Sequence, residues 1–428
     1  MTDAPPDTRR AQRTHRRFSR RRRRRLTVTA TVAILLAAGG YATAAAAGPL
    51  PELQPVLTVD AEQTMKASTR PAKALVEDQD LPTAIGWGDG TKIWSNDSEA
   101  YPIASITKLV TVLVALEEQP LDPGEDGPVY TYSAADQQRE AELRAQDAIM
   151  YPVPVGTEFT TRELLELILL PSANDYAIAY ANWVFGDNES FIAAVDAWAD
   201  AHGLESLTLV EPSGLSSENR ASAADLVRIA RIALRHETVL DFTGMERAEV
   251  PGVGLIETTN PLFDLMSDIV GFKTGSTTAA GYNLLSGRKT EVGDREMVTI
   301  SATLARPSRE ARAASGYDTN DAMAGMTEVV VLALEDEELG YVTTWQGERI
   351  PIVGTAGADG TLVPGERTTR TITVRPIDGE AAGGAVIGEI AFDGPIPIDP
   401  VDIATTAPIT EPDFWWRISH PGEVFGWN

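Results

Sequence analysis

Three short motifs, far apart in the sequence, constrain this chain because their chemistry is useful only if the fold brings them together. The second motif begins 67 residues after the first, and the third begins 101 residues after the second. Together they supply a nucleophile, a lysine base, a polar proton relay and a cationic site for an anion. Only six lysines occur in the chain, and two of them fall within these motifs. In chain order the motifs are Ser105-Ile106-Thr107-Lys108, Ser172-Ala173-Asn174 and Lys273-Thr274-Gly275.

The first motif is typical of an activated serine. An apolar pattern predicts a largely buried helix over residues 107–118, and Ser105 lies just before its start. A spacing of three residues puts Ser105 and Lys108 on one helical face. A partly desolvated lysine can take the serine proton, and the helix N-terminus favours the negative charge that develops. A serine N-cap followed by a surface lysine would give the same pattern, so this motif does not decide alone.

The other two motifs are weaker signals when each is taken alone. The second lies between two predicted helices, where its serine and amide could face one cleft, although ordinary turns favour the same residues. The third ends a β-branched run and is followed by Ser276. A lysine and a hydroxyl at a strand edge can hold a carboxylate, and the glycine lets a substrate backbone approach closely. A strand-terminal turn is the alternative. The order and setting of all three motifs favour a catalytic site.

The N-terminus predicts export. Residues 1–25 form a basic segment with eleven arginines, and residues 26–47 contain no charged residue. A basic segment, an apolar segment and then small residues are typical of a secretory signal peptide. The uncharged stretch is also long enough to span a bilayer with the arginines on the cytoplasmic side, so a retained signal anchor is the alternative. We therefore expect the rest of the chain at the extracytoplasmic face of the cell membrane or in the cell wall.

Charge and composition exclude several functional classes. Without residues 1–25 the chain holds 25 basic and 60 acidic residues. Nucleic-acid binding requires a basic surface, so this acidic composition argues against it. There is no cysteine, so disulfides do not hold the fold. The four histidines show no metal-ligand spacing, which argues against a zinc peptidase. We expect neither a metal nor a cofactor.

Composition and periodicity divide the rest of the chain. Residues 48–73 are rich in Pro, Ala and Thr, which predicts a linker. Residues 74–334 run from short strands through a helix-rich part to longer strands, which predicts an α/β (α+β) catalytic domain with a mostly antiparallel sheet. Residues 335–400 contain short segments with alternating side-chain character, separated by turns rich in Gly, Asp and Pro. This pattern predicts a small C-terminal β-sandwich. Residues 401–428 form an aromatic tail.

The motifs and their surroundings resemble those of the low-molecular-weight penicillin-binding proteins, the serine D-alanyl-D-alanine carboxypeptidases. The likeness covers residues 74 to about 400, and the spacings between the motifs are similar to those of the family. It also covers the residues that flank the motifs, over 104–109, 171–175 and 271–284. The resemblance implies a penicillin-binding-protein/β-lactamase-like transpeptidase fold with a helical subdomain. It implies peptidoglycan stem peptides ending in D-Ala-D-Ala as substrates and β-lactams as covalent inhibitors.

The resemblance also implies a role for each catalytic residue. Ser105 would be the nucleophile that becomes acylated, and Lys108 would be its base. Ser172 would pass the proton to the leaving D-alanine. Asn174 would hydrogen-bond the substrate amide.

Further residues are implied to bind the substrate. Lys273 would polarise the site and Thr274, next to Gly275, would take the terminal carboxylate. The backbone N–H groups of Ser105 and Ser276 would form the oxyanion hole. An arginine after the strand predicted over residues 297–304 would help to hold the carboxylate, although an arginine on the solvated surface is the alternative. Arg312 aligns best with that role, and Arg306 and Arg309 compete with it.

Two other functions remain as alternatives. A class A-like serine β-lactamase shares the three motifs, but it carries a deacylating glutamate in an E-x-x-L-N context. Glu211 is the nearest candidate, and its context Glu211-Pro212-Ser213-Gly214 does not match. The second alternative is an inactive peptidoglycan-binding protein on the same fold. The intact motif residues speak against that loss of activity.

The aromatic tail departs from a feature of the family, which often ends in a membrane-lying amphipathic helix. Here Pro412 and Pro421 interrupt the segment, so a long helix of that kind is not expected. We expect residues 414–416 to pack on the β-rich domain, and contact with a membrane is the alternative. Any attachment to the cytoplasmic membrane would come from residues 26–47.

Overall fold

The computed structural model of the chain describes residues 8–426, and its side chains from residue 22 onward. The start of the predicted basic segment, and Trp427 in the tail, lie outside the described residues. The helices are α1 Thr8–Ala47, α2 Arg70–Glu77, α3 Thr107–Glu118, α4 Ala134–Ala145, α5 Thr161–Leu169, α6 Asn174–Phe185, α7 Asn188–His202, α8 Ala223–Ala233, α9 Glu237–Thr243, α10 Arg309–Ala324, α11 Phe414–Ser419 and α12 Pro421–Phe425. The strands are β1 Pro55–Leu57, β2 Glu62–Lys66, β3 Thr83–Trp87, β4 Ile93–Ser95, β5 Tyr101–Pro102, β6 Val129–Thr131, β7 Glu158–Thr160, β8 Arg220–Ala221, β9 Arg247–Val250, β10 Gly254–Glu257, β11 Ile269–Thr277, β12 Gly281–Val292, β13 Arg295–Arg306, β14 Glu328–Ala333, β15 Glu338–Thr343, β16 Arg349–Gly354, β17 Ala358–Leu362, β18 Arg367–Val374, β19 Val386–Asp393 and β20 Val401–Thr405.

A five-stranded antiparallel sheet frames the half of the chain that carries the motifs. Its order is β11-β12-β13-β3-β4, so strands that precede the helix-rich part pair with strands that follow it. β12 and β13 are paired along most of their length, and α8 and α10 pack against this sheet. The prediction of an α/β (α+β) fold with a mostly antiparallel sheet is confirmed. The third motif lies on β11, at the edge of the sheet.

The helical part is built around α3. Every residue from Thr107 to Leu116 is buried, so this helix is packed on all sides as its apolar sequence predicts. It packs against α5, α6 and α7. The capping pattern predicted before α5 is present, because the Thr160 hydroxyl accepts from the Glu163 N–H and the Glu163 carboxylate accepts from the Thr160 N–H. A fully packed α3 gives the first motif a fixed position.

The second sheet includes strands from outside the predicted β-rich domain, both before it and after it in the chain. Its seven strands run in the order β1-β15-β16-β20-β19-β18-β2. β1 and β2 come from residues 48–73, so the prediction of a linker is wrong for these strands. β20 comes from the predicted tail. The polar sequence of β2 carries no strand signal of its own, and this segment becomes a strand because its backbone pairs with β18.

Helix α1 and the tail meet at one end of the molecule. By length and composition, the stretch Arg22–Ala47 is one helix able to cross a membrane. Helices α11 and α12 pack against the C-terminal end of α1, and α11 ends before Pro421. Phe414 and Trp415 are 46% and 74% exposed. The expected packing of these two side chains on the β-rich domain is therefore wrong.

Candidate active site

The first motif lies where a 3₁₀ turn runs into helix α3. Ser105 is in the turn Ala104–Ile106, and Lys108 is in the first turn of the helix. Lys108 Nζ lies 2.8 Å from Ser105 Oγ. Ala104 has a positive φ of 48°, so the backbone is strained beside the nucleophile. The structure thus brings the predicted serine and lysine together.

Burial controls the proton affinity of Lys108. Its side chain is fully buried, and its Nζ also donates to the backbone carbonyl of Ser213 at 2.6 Å. Burial lowers the pKa of Lys108 to about 7, while the negative charges of Glu211 and Asp175 act in the opposite direction. A lysine with this pKa is partly neutral near pH 7. It can therefore accept a proton from the nearby serine.

A single carboxylate organises the loop that presents the Ser213 carbonyl. Glu211 Oε2 accepts from the Ser213 N–H at 2.7 Å and from the Ser213 hydroxyl at 2.6 Å. Its Oε1 accepts from the Gly214 N–H at 2.7 Å, from the Ser216 N–H at 3.2 Å and from Asn219 Nδ2 at 2.9 Å. Both oxygens are therefore occupied by their own loop, and Glu211 is not a free base facing the nucleophile.

Two glycines allow backbone segments to touch the turn that holds Ser105. Gly214 has a φ of 84°, and a Cβ there would lie 2.1 Å from the Ala104 carbonyl oxygen. A Cβ on Gly275 would lie 2.5 Å from the Ile103 carbonyl oxygen and 3.0 Å from the Ser105 nitrogen. A larger residue at either position would push the loop or β11 away from the nucleophile. The Glu211 loop and the third motif thus converge on the same turn.

The second motif combines a strained serine with a well-held amide. Ser172 has a φ of 71°, and its buried Oγ has no hydrogen-bond partner among the described residues. Such a hydroxyl costs stability, and this cost is often tolerated where the group serves function. Asn174 Oδ1 accepts from the Ile149 N–H at 3.0 Å, and its Nδ2 lies 3.4 Å from the Ser213 carbonyl oxygen. Asn174 therefore ties this turn to the loop beside Lys108, and its contact with a substrate amide stays a prediction.

The third motif is held at the edge of the sheet by contacts with its neighbours. Lys273 is buried, and burial, followed by the charges of Lys108 and Arg312, holds the pKa of Lys273 well below its usual value. Thr274 Oγ1 lies 2.5 Å from Thr259 Oγ1. Thr259, just after the β9–β10 hairpin, therefore helps to hold the Thr274 hydroxyl oxygen in place.

A cavity of about 460 Å³ opens on the nucleophile. Ser105, Ser172, Thr274, Ser276 and Arg312 all line it. The nucleophile, the unpaired hydroxyl and the edge of β11 thus face one space. The described residues contain no group of three or more His, Asp or Glu side chains that could hold a metal ion.

The three candidate arginines have different surroundings. Arg306 does not line the cavity, because its guanidinium donates to the Pro82 carbonyl at 3.0 Å and to the Thr83 hydroxyl at 2.7 Å. Arg309 and Arg312 do line it, and Arg309 is exposed whereas Arg312 is buried. The Nε of Arg312 has no partner among the described residues. Arg306 is thus a structural residue, and Arg312 remains the best candidate for binding an anion.

Comparison with known proteins agrees with this arrangement. A family model described as D-alanyl-D-alanine carboxypeptidase matches residues 92–305, half of the chain, and the matched region holds all three motifs. The chain belongs to the D-alanyl-D-alanine carboxypeptidase family. It is accordingly a serine-type hydrolase, as the motifs predict.

Relatives of this carboxypeptidase cover much of its length. It is 26% identical over 320 residues to the D-alanyl-D-alanine carboxypeptidase DacF of Bacillus subtilis, which covers 70% of this chain and 79% of that protein. It is 28% identical over 252 residues to a D-alanyl-D-alanine endopeptidase of Pseudomonas aeruginosa, covering 57% and 73% of the two chains. Penicillin-binding protein 5 from Haemophilus influenzae matches with a TM-score of 0.54 at 18% identity, over 77% of this chain and 97% of that chain. That likeness confirms the predicted penicillin-binding-protein fold.

Sequence reasoning missed two residues of the carboxypeptidase site. Glu211 was weighed only as a deacylating glutamate, whereas its carboxylate binds the loop that contacts Lys108. Thr259 carries no motif at all, and it reaches Thr274 only through the folded hairpin. The one available signal for Glu211 was its position two residues before Ser213-Gly214, where an acidic side chain can accept from the backbone of a turn.

Proposed function

We propose that this carboxypeptidase removes the terminal D-alanine of peptidoglycan stem peptides through an ester on Ser105. The observation that carries the proposal is the 2.8 Å contact between Ser105 Oγ and a buried lysine with a pKa of about 7. Lys108 takes the hydroxyl proton while Oγ attacks the carbonyl carbon of the penultimate D-alanine. The oxyanion that forms is stabilised by the backbone N–H groups of Ser105 and Ser276.

Collapse of this intermediate breaks the C–N bond to the terminal D-alanine. Ser172 delivers a proton to the leaving amine, and its unpaired hydroxyl beside the cavity supports this role. The proton that Lys108 took from the nucleophile replaces the one that Ser172 gives up. Water then attacks the ester carbonyl, its proton returns to Ser105 Oγ, and the shortened peptide leaves.

The terminal carboxylate of the substrate binds at the edge of β11. Thr274 offers a hydroxyl held in contact with Thr259, and Arg312 offers a buried guanidinium in the same cavity. Lys273 lies close enough to Lys108 for the charges of the two lysines to interact, and burial favours its neutral form. Asn174 binds the substrate amide in this proposal, by adding to the contacts that its side chain already makes.

We also propose that β-lactams acylate Ser105 and leave slowly. The four-membered ring presents a carbonyl carbon to the same nucleophile, and its opening keeps the leaving group attached. In a class A-like serine β-lactamase, a glutamate is the base for rapid hydrolysis of that ester. Glu211 is the candidate for such a glutamate in this chain, but both of its carboxylate oxygens already accept hydrogen bonds from their own loop. The carboxypeptidase function is therefore preferred to the β-lactamase function.

In this proposal residues 26–47 attach the protein to the cytoplasmic membrane. The helix Arg22–Ala47 has the length and composition of a span, and the arginines before it favour a cytoplasmic N-terminus. The catalytic domain, residues 74–334, then lies outside the cell membrane, where peptidoglycan is found. Five strands of the seven-stranded sheet follow that domain in the chain, and its strands β1 and β2 precede it.

The test is release of D-alanine from a diacyl-Lys-D-Ala-D-Ala peptide by the full chain in detergent. Ser105→Ala removes the nucleophile, and Ser98→Ala removes an exposed serine as the matched control. Release by the parent and by Ser98→Ala, with none by Ser105→Ala, supports the proposal. Release by Ser105→Ala means that the nucleophile is wrong.

Labelling with a fluorescent penicillin distinguishes an active serine enzyme from the remaining alternative, an inactive peptidoglycan-binding protein. If the parent releases no D-alanine but is labelled at Ser105, the serine works and the proposed substrate is wrong. If the parent neither releases D-alanine nor is labelled, the protein is an inactive peptidoglycan-binding member of the family.

A further inference from the structure

Among the residues of helix α1 whose side chains the structure describes, only those at its C-terminal end are covered by protein. Its residues 22–40 are exposed, including Leu26, Leu35 and Leu36, which are 61–70% exposed. From Tyr41 onward the helix is in contact with the tail, and Ala45 is completely buried. From Leu26 onward the exposed part carries no charge and is largely apolar, so it is suited to lipid, and the covered part marks where the folded protein begins.

Specific bonds hold the tail to that end of α1. Tyr41 Oη donates to the Ile418 carbonyl at 2.6 Å. Arg417 Nη1 donates to the Gly48 carbonyl at 2.9 Å and lies 3.4 Å from the Ala46 carbonyl oxygen. The last carbonyls of a helix lack partners within the helix, and a cation is favourable beside them. Arg417 is therefore well suited to hold the C-terminal end of α1.

The remaining contacts are built from ionic and apolar groups. Arg417 Nη2 also pairs with Glu411 at 2.5 Å, so the guanidinium links the tail to the helix end. A Cβ on Gly48 would lie 2.8 Å from Val424 Cγ1, so Val424 packs directly on the backbone there. The rings of Tyr41 and Phe425 have centroids 6.2 Å apart. This contact requires residues 41–48 to remain part of the protein.

The tail helix α11, which docks on α1, carries exposed aromatic side chains. Phe414 and Trp415 are 46% and 74% exposed, and their rings lie 5.4 Å apart. A hydrocarbon core of about 30 Å takes about 20 helical residues, so a span that begins at Leu26 reaches the far side near Ala45. The docked tail therefore lies at the boundary between water and the outer face of the cytoplasmic membrane. Aromatic side chains with polar neighbours are enriched at such boundaries.

We infer that α1 is retained and that α11 and α12 form a collar around its outer end, with Phe414 and Trp415 inserted among the lipid headgroups. The occupant of this exposed aromatic surface is the bilayer itself. Its position follows from continuity with the membrane-spanning part of α1. The collar fixes the folded chain against the membrane, which a single helix with a loose linker would not do. The retained helix rests on the proposed membrane attachment through residues 26–47, and the collar goes beyond the proposed catalytic function.

The test uses the full chain in lipid nanodiscs whose lipids are brominated near the top of the acyl chains. Bromine quenches only tryptophans close to it, so the emission of the parent should be partly quenched. Trp415→Phe should lose most of that quenching. Trp183→Phe removes a tryptophan of the helical part and should keep it. No quenching in the parent, or equal quenching in the parent and in Trp415→Phe, overturns the collar.

The mass of the protein extracted from cell membranes tests the retained helix. A mass that includes residues 26–47 agrees with the inference, whereas a chain that begins at or after Gly48 overturns it. Release of D-alanine by each variant is measured in parallel, and it confirms that the variants are folded. Loss of the collar with full activity would leave the proposed catalytic function untouched.

Discussion

The Nζ of Lys108 lies 2.8 Å from the Oγ of Ser105, and the lysine side chain has no exposure to solvent. Burial alone would favour a neutral amine, and the charges of Glu211 and Asp175 partly restore the proton. The balance leaves the pKa of Lys108 at about 7. Near neutral pH, small changes in charge around this lysine therefore change how much of the enzyme is ready to react.

The rate at which a β-lactam acylates Ser105 should rise with pH and level off above about 7. The reactive form has neutral Lys108, so its fraction falls about tenfold for each pH unit below the pKa. The check is the second-order acylation rate between about pH 5.5 and 8.5, with protein stability followed at each pH. A rate that is flat across this range would show that Lys108 does not limit the reaction.

Lys108→Arg is the matched variant for that profile. A guanidinium keeps its proton at all these pH values, so it cannot act as the base. Acylation should fall by about 10²- to 10⁴-fold, which is the usual contribution of a general base. Acylation near the parent rate in this variant would contradict the assignment of the base.

Replacing Glu211 should affect both stability and the pH profile. Glu211→Gln puts an amide NH₂ group against the N–H donors of its own loop, and we expect the free energy of unfolding to fall by about 2–4 kcal/mol. The variant also removes a negative charge that raises the pKa of Lys108. The acid limb of the acylation profile should therefore move to lower pH, and thermal unfolding measures the stability change.

Glu218→Gln is the control for this prediction. It removes an exposed carboxylate from the same loop, so neither stability nor the acid limb should change measurably. Equal effects of the two variants would mean that general charge, and not the hydrogen bonds of Glu211, is responsible.

Local patterns predicted the parts of the fold that local forces determine. The apolar run of α3 and the capping pattern at Thr160 needed no distant partner, and both are present. The strands β1 and β2 were missed because their pairing partners lie some 300 residues away in the chain. Exposure of Trp415 was missed for a similar reason, since the tail docks on α1 at the opposite end of the sequence.

The site shows the same division between local and long-range determinants. Ser105 and Lys108 could be placed together because three residues in a helix set their spacing. The bond between Thr259 and Thr274, and the contact of the Ser213 carbonyl with Lys108, depend on how hairpin and loop pack. No pattern of residue types marks such contacts, so they could be found only in the folded chain.

Ser172→Ala should reduce activity without reducing stability. Its buried hydroxyl has no partner among the described residues, so its removal relieves a polar group that costs about 1–3 kcal/mol. We expect D-alanine release to fall by about 10²- to 10⁴-fold if Ser172 carries the proton. The midpoint of thermal unfolding should stay equal or rise.

Ser213→Ala is the matched control, because Ser213 is a buried serine whose hydroxyl has a hydrogen-bond partner. Its hydroxyl donates to Glu211 at 2.6 Å, so its loss should lower the free energy of unfolding by about 1 kcal/mol. The contrast in stability between the two variants is the decisive measurement. A Ser172→Ala enzyme that is less stable than Ser213→Ala would show that the Ser172 hydroxyl is a structural group.

Arg312→Leu should weaken recognition of the substrate carboxylate. A charge-assisted hydrogen bond contributes about 1.5–3 kcal/mol, so kcat/KM for a peptide ending in D-Ala-D-Ala should fall by about 10- to 150-fold. The same peptide with a terminal carboxamide should lose little, because it carries no negative charge. Arg309→Leu is the control on the same cavity wall and should keep the preference for the free carboxylate. Arg306→Leu should instead lower the free energy of unfolding by about 1–3 kcal/mol, because it removes the buried donor that pairs with the Leu304 carbonyl and the Thr83 hydroxyl. If the preference for a free carboxylate survives in Arg312→Leu and disappears in Arg309→Leu, then Arg309 is the residue that binds the substrate.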